Sequence, residues 1–266
     1  TIGRRQRQMC IRDRNMVEPA KVAARISEHQ TGEPLPHESA KLHVTGEALY
    51  TDDIGTPAGS LHAYVGVSQA THARIKNLNL DAVRNAPGVV CVLTASDIPG
   101  SPDIGPVYAG DPLIASDTVE FRGQILFAVA AVSNKAARRA ARLAEIEYEM
   151  LPAVLDSQTG HELESYVRPM HCQRRGDANA AIAEAPMKLE GAFQSGGQEQ
   201  MYLEGQVSLA IPDEDGKMLV YSSTQHPSEG QKRVAEVLNI PLSHVTVQVR
   251  RTVSYTHLRA HETRFY

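Results

Sequence analysis

Residues 123–149 read GQILFAVAAVSNKAARRAARLAEIEYE, and this stretch decides the fold class. Its first ten residues are almost uninterruptedly apolar, which predicts a buried strand over residues 123–132. Ser133 can cap a helix over residues 135–144, whose alanines form a stripe of small residues that lets a helix lie close on a sheet. Residues 145–149 alternate and predict an edge strand. Strand, helix and strand together indicate an α+β domain or a βαβ unit.

Further elements flank this stretch on its N-terminal side. An alternating strand is predicted over residues 60–68, and a buried strand, apolar on both faces, over residues 88–94. A short helix is predicted over residues 80–86 and ends there, because Pro87 disfavours helical backbone at the residue before it. Residues 96–114 hold four prolines and three glycines, which predicts a loop ordered by its contacts.

A second unit follows a polar connection at residues 161–179. Four strands are predicted in this unit, at residues 187–193, 207–211, 218–223 and 245–249. Residues 213–216 form a hairpin turn between the second and the third of them. Pro227, at a first helical position, opens a helix between the last two strands. The length of the chain favours two domains.

The two ends of the chain differ in character from the rest. Residues 1–14 and 252–266 can be back-translated into inverted copies of one transposase adapter used for DNA sequencing libraries. We therefore expect both segments to be translated adapter and restrict functional interpretation to residues 15–251. Two apparent functional features are thereby left out of the interpretation. One is an arginine-rich arm typical of nucleic-acid binding, and the other is the pair His257 and His261, which has the spacing of metal ligands.

Composition narrows the class of protein. The chain has 27 basic and 31 acidic residues, and the two end segments together hold seven of the basic and two of the acidic ones. The remainder carries 20 basic and 29 acidic residues, a net charge of −9, which argues against a nucleic-acid partner. Cys91 and Cys172 lack the spacing of a disulfide framework or a zinc site, and no apolar run approaches the roughly 20 residues that span a bilayer. These features predict a cytoplasmic protein without a membrane partner.

Motifs that carry chemistry are sparse. The histidines between the ends have no HxxxH or HExxH spacing, and no phosphate loop, GxSxG elbow or dinucleotide fingerprint occurs. One stretch stands apart, SGGQEQMYLE at residues 195–204. Gly196 and Gly197 would let the backbone approach a ligand closely, and Gln198 offers a neutral amide that donates and accepts hydrogen bonds. A β-bulge or hairpin is the structural alternative.

This stretch resembles the signature GGQEHFYLE of the xanthine dehydrogenase and aldehyde oxidase family, with Gln200 and Met201 in place of His and Phe. Other stretches resemble the same family in the same order, at residues 43–53, 70–75, 87–90, 148–153, 222–229 and 249–251. Within the family, the likeness is to the molybdenum-binding subunit of bacterial xanthine dehydrogenases.

The resemblance implies an α+β architecture, an α/β hammerhead domain followed by a truncated first molybdopterin cofactor-binding domain. It divides the chain into a lead-in segment at 15–36, the hammerhead domain at 37–152, a linker at 153–185 and the N-terminal part of the cofactor-binding domain at 186–251.

The resemblance also implies a reaction, the hydroxylation of hypoxanthine and xanthine toward urate at molybdenum held by a pterin dithiolene. Electrons would pass through 2Fe-2S clusters and FAD on a partner subunit to NAD. Gln198 corresponds to the glutamine that hydrogen-bonds the oxo ligand of the metal, and Gly196 and Gly197 accompany it at the cofactor.

The family's catalytic glutamate has no counterpart up to Arg251, so we expect no catalytic residue in this segment and no activity from it alone. Two alternatives stay open. One is an aldehyde, carbon monoxide or nicotinate-type hydroxylase, and the other is a non-catalytic assembly module for the iron–sulfur and flavin subunit.

Overall fold

The computed structural model of the protein describes residues 36–37, 39–197 and 205–251. The predicted adapter segments, nearly all of the predicted lead-in and Gln198 lie outside these ranges. Within them, no helix has both the length and the apolar character needed to cross a membrane.

The described residues divide between Ala48 and Leu49 into two units. The first unit contains helix α1 (Ala40–Thr45), which ends at Gly46. Gly46 has a φ of 73°, the left-handed conformation that glycine adopts without a steric cost at a helix end.

The second unit begins with two three-stranded sheets and two helices. In chain order these are β1 (His62–Val67), β2 (Ala73–Asn79), α2 (Asp81–Arg84), β3 (Val89–Leu93), β4 (Thr118–Val119), β5 (Ile125–Ala131), α3 (Asn134–Ala141) and β6 (Glu145–Met150). One sheet has the strand order β1-β5-β3 and the other the order β4-β2-β6, and all the pairs are antiparallel. Because β5 and β6 lie in different sheets, the predicted strand–helix–strand stretch belongs to an α+β domain and is not a βαβ unit.

The core of this domain forms where α3 packs on its first sheet. The Ser133 hydroxyl accepts the Ala136 N–H at 3.2 Å and caps the helix as predicted. Ala137 and Ala140 are buried against β1 and β5, so the small-residue stripe does bring the helix close to the sheet. Phe127 is only 1% exposed, and burying a side chain of this kind stabilises the fold by about 1.5–3 kcal/mol.

The prediction that β3 is buried on both faces is wrong. Val90 is 56% exposed and Leu93 is 47% exposed. Cys91 and Leu93 pair with Ala130 and Ala128, whose side chains point to the opposite face of the sheet from Phe127. The apolar run predicts burial, but that face of the sheet is covered only in part, since Leu126 on it is fully buried while Leu93 is 47% exposed.

The later part of the second unit is a three-stranded sheet with one long helix. Its elements are β7 (Ser208–Asp213), β8 (Lys217–Ser222), α6 (Pro227–Leu238) and β9 (Val245–Gln248), and they confirm the predicted hairpin, the helix opened by Pro227 and the final strand. β7 and β8 are antiparallel, whereas β8 and β9 are parallel with α6 as their crossover. Asp215 (φ 61°) and Gly216 (φ 68°) turn the hairpin with left-handed backbone.

Two short helices, α4 (Ser157–Glu162) and α5 (Ala178–Glu184), stand at the two ends of the predicted polar connection. The strand predicted over residues 187–193 does not form, and Met187, Leu189 and Phe193 are 88%, 102% and 93% exposed. A strand needs a neighbour for its backbone hydrogen bonds, and none of the described strands pairs with this segment.

Candidate functional site

The predicted site residues lie between this unpaired segment and β7. Gly196 and Gly197 are exposed and belong to no strand or helix. A Cβ atom added at either glycine would meet no heavy atom within 4 Å, so no described side chain or backbone occupies the space beside them. Gln198 lies outside the described residues, and its predicted contact with a cofactor stays a prediction.

The chain that leaves this stretch is held by Ser223, at the end of β8. The Ser223 hydroxyl donates to the Gly205 carbonyl at 2.8 Å and accepts the Val207 N–H at 2.9 Å. The Ser223 N–H donates to the Val207 carbonyl at 3.0 Å. One half-buried serine therefore satisfies three backbone groups of residues 205–207.

Ser223 also leads directly into α6. The His226 N–H donates to the Thr224 hydroxyl at 3.2 Å, and Pro227 then begins the helix. In the first turn, the Glu229 carboxylate accepts a hydrogen bond of 2.7 Å from Arg233, which raises the pKa of the Arg233 guanidinium above its ordinary value. Residues 205–207 and the end of β8 thus meet at Ser223, four residues before α6 begins, and we call this contact the Ser223 junction.

The groups at the Ser223 junction are suited to binding by hydrogen bonds and not to chelating a metal. Backbone amides, two hydroxyls and the exposed side chain of Gln225 are neutral donors and acceptors. Among the described residues, no three His, Cys, Asp or Glu side chains come together as metal ligands.

Sequence reasoning placed Gly196, Gly197 and Gln198 in the candidate site and missed the role of Ser223. Residues 222–229 carried part of the family resemblance, which is the signal that could have drawn attention to the serine. Its function as an anchor depends on a contact across 16 or 18 residues of chain, to Val207 and Gly205.

Two family descriptions match the chain, and together they cover most of it. Residues 45–152 match the aldehyde oxidase and xanthine dehydrogenase a/b hammerhead domain. Residues 160–252 match the molybdopterin cofactor-binding domain. The chain belongs to the xanthine dehydrogenase and aldehyde oxidase family of molybdenum hydroxylases. The expected α+β architecture, a hammerhead domain followed by part of a molybdopterin-binding domain, is confirmed.

Relatives in this family include xanthine dehydrogenases. The chain is 35% identical over 227 residues to xanthine dehydrogenase/oxidase of Gallus gallus, covering 85% of this chain and 17% of that protein. It is 37% identical over 224 residues to xanthine dehydrogenase of Oryza sativa subsp. japonica, covering 83% of this chain and 16% of that protein. The chain thus spans about a sixth of the length of these relatives.

Solved structures share the fold. Quinoline 2-oxidoreductase from Pseudomonas putida 86 matches with a TM-score of 0.69 and 25% identity, over 82% of this chain and 30% of that one. Aldehyde oxidoreductase from Desulfovibrio gigas matches with a TM-score of 0.70 and 23% identity, over 82% of this chain and 26% of that one. The same backbone arrangement therefore occurs in family members named for different substrates.

Proposed function

We propose that the intact protein is a xanthine dehydrogenase, which hydroxylates hypoxanthine and xanthine toward urate. The observation that favours this choice is amino-acid sequence identity to named xanthine dehydrogenases. The chain is 34–37% identical to the xanthine dehydrogenases described above and their animal, plant and fungal counterparts. Its identity to the solved aldehyde, quinoline and carbon monoxide enzymes is 21–25%. Substrate class within the family follows the closer sequences better than it follows the shared fold.

In this proposal, Gln198 contacts the cofactor and the Gly196–Gly197 pair allows the backbone to approach it. When bound, the molybdenum–pterin cofactor supplies the redox chemistry for hydroxylating an electron-poor ring carbon. The Gln198 amide would donate a hydrogen bond to a metal-bound acceptor without adding a charge to the site. Ser223 would hold residues 205–207, which follow the stretch that carries Gln198 in sequence.

The proposed domain limits are those of the family resemblance, with the hammerhead domain at 37–152, a linker at 153–185 and the cofactor-binding part at 186–251. The proposed partner is an iron–sulfur and FAD subunit that passes electrons on to NAD. We also propose a cytoplasmic location, which the unpaired, exposed thiols of Cys91 and Cys172 support because such thiols persist in a reducing compartment. The segment by itself is proposed to be inactive.

The test compares two glutamines in the intact protein encoded by the complete gene. Gln198→Ala should lower kcat for xanthine by about 10- to 100-fold, since removing a hydrogen bond to a charged group costs about 1.5–3 kcal/mol. Gln194→Ala, an exposed glutamine four positions earlier, serves as the matched control and should leave kcat unchanged. Equal effects of the two changes would exclude the role of Gln198, and an intact protein that oxidises aldehydes but not purines would exclude the substrate assignment.

A further inference from the structure

The loop at residues 99–113 of the hammerhead domain reaches the C-terminal end of α6 in the molybdopterin-binding domain. The Gly100 N–H donates to the Val237 carbonyl at 3.0 Å, and the Ser101 N–H donates to the Glu236 carbonyl at 2.9 Å. The last four carbonyls of a helix lack partners within that helix. Here, backbone of one domain supplies partners for the end of a helix in the other.

Gly100 makes this approach possible. A Cβ atom at this position would lie 2.9 Å from the Asn239 nitrogen, 3.0 Å from the Val237 carbonyl oxygen, and closer still to the Glu236 carbonyl oxygen. These neighbours are backbone atoms of the helix end, which cannot swing aside as a flexible side chain could. Any residue larger than glycine would push the loop and the helix apart.

Asp103 gives the loop its shape. Its carboxylate accepts the Gly105 N–H at 2.8 Å, the Gly110 N–H at 2.7 Å and the Asp111 N–H at 3.3 Å. These hydrogen bonds, the one from Gly105 first, hold the pKa of Asp103 below its ordinary value. Backbone bonds from Ile104 to Asp111 (2.9 Å) and from Leu113 to Pro102 (2.8 Å) close the same loop.

The charge of the helix supports the same contact. Arg233 on α6 contributes to lowering the pKa of Asp103, so the two opposite charges lie within electrostatic reach of each other. The Arg233 side chain is 20% exposed and is held by Glu229 and Glu236 at 2.7 Å each. The cation that these carboxylates hold on the helix therefore adds a weak favourable charge interaction with the carboxylate that organises the loop.

We propose that Asp103 is a positioning residue, which shapes the 99–113 loop so that Gly100 and Ser101 cap α6 and fix the molybdopterin-binding domain against the hammerhead domain. Helix α6 begins four residues after Ser223, so a fixed helix would also steady the Ser223 junction beside a bound cofactor. That consequence for the cofactor rests on the proposed function. The capping of α6 by the 99–113 loop is independent of the proposed function.

The experiment measures amide hydrogen exchange by mass spectrometry on the 266-residue chain. Asp103→Ala should speed exchange at residues 234–240 by about tenfold, because capping bonds to the helix end are lost. Asp103→Asn keeps one of the two acceptor oxygens and should give a smaller increase. Protection of β5 amides reports whether the hammerhead core remains folded.

Asp97→Ala is the matched control. Asp97 is another carboxylate that closes a local turn in the hammerhead domain, by accepting the Thr94 N–H at 2.7 Å. It should leave exchange at residues 234–240 unchanged. If Asp103→Ala changes only residues 100–113, or no more of α6 than Asp97→Ala does, the proposal is wrong.

Gly100→Ala provides a second test, because it leaves the Asp103 hydrogen bonds in place and removes only the close approach. Exchange at residues 234–240 should again rise while residues 103–111 stay protected. Unchanged exchange in α6 would overturn the proposal, including in the case where Asp103→Ala fails to fold. Since the measurement needs no cofactor, failure of the proposed function and failure of this inference are separate results.

Discussion

Gly66→Ala is expected to destabilise the hammerhead domain through a single steric conflict. Gly66 lies on β1 opposite Phe127 of β5, and the aromatic ring covers the glycine. An added Cβ atom would have three ring carbons within 2.6 Å, whereas carbon atoms at rest lie about 3.5–4.0 Å apart. Phe127 is 1% exposed, so the surrounding core encloses its ring.

The magnitude follows from two opposing effects. Overpacking a core costs about 1–3 kcal/mol, and the conflict here is at the upper end because the ring is enclosed. Alanine regains about 0.5–1 kcal/mol over glycine within a strand. We expect a net loss of about 2 kcal/mol in the free energy of unfolding, or about 4–8 °C in Tm for a protein of this size.

The assay is thermal and urea unfolding followed by far-UV circular dichroism, since the chain has no tryptophan to report by fluorescence. Gly55→Ala is the control, because a Cβ atom there meets nothing within 4 Å. In a double-mutant cycle, Phe127→Leu should relieve part of the cost of Gly66→Ala, with a coupling energy of about 0.5–3 kcal/mol. A Gly66→Ala variant as stable as Gly55→Ala, or a cost that simply adds to that of Phe127→Leu, would refute the steric argument.

Two further outcomes concern the Ser223 junction and acid stability. Ser223→Ala should lower the free energy of unfolding by about 1–3 kcal/mol, because the half-buried Val207 N–H loses its acceptor. Ser208→Ala, which removes a hydrogen bond between two exposed serine hydroxyls, is the control and should cost less. Equal costs of the two changes in urea unfolding would contradict the anchoring role of Ser223. Hydrogen bonds from the Thr159 N–H and hydroxyl lower the pKa of Asp156. The ionised carboxylate therefore contributes fully to folding stability above the ordinary carboxyl pKa, and this contribution is lost as pH falls through the lowered pKa. Asp156→Asn, which can still cap α4, should therefore flatten the dependence of the urea midpoint on pH below about 4, and an unchanged acid profile would contradict the assignment.

Much of the secondary structure could be predicted because its causes are local. Ser133 caps α3, Pro227 opens α6, and Asp215 with Gly216 turns the hairpin, each through properties of the residue and its near neighbours. The same holds for the family assignment, which rests on short ordered stretches of sequence. The candidate site was predictable only in part, since Ser223 acts through bonds to residues 16 and 18 positions away.

The sequence by itself determined several of the helices and strands, the α+β class and the family, because periodicity, capping residues and motifs are properties of the chain itself. Tertiary structure alone decided that β5 and β6 belong to different sheets, that residues 187–193 lack a partner, and that Leu93 of β3 faces away from the core. It also decided why Gly66 and Gly100 must be glycine, since each lies against atoms distant in sequence. Pairing, covering and close approach depend on which segments meet in space, and local preferences do not contain that information.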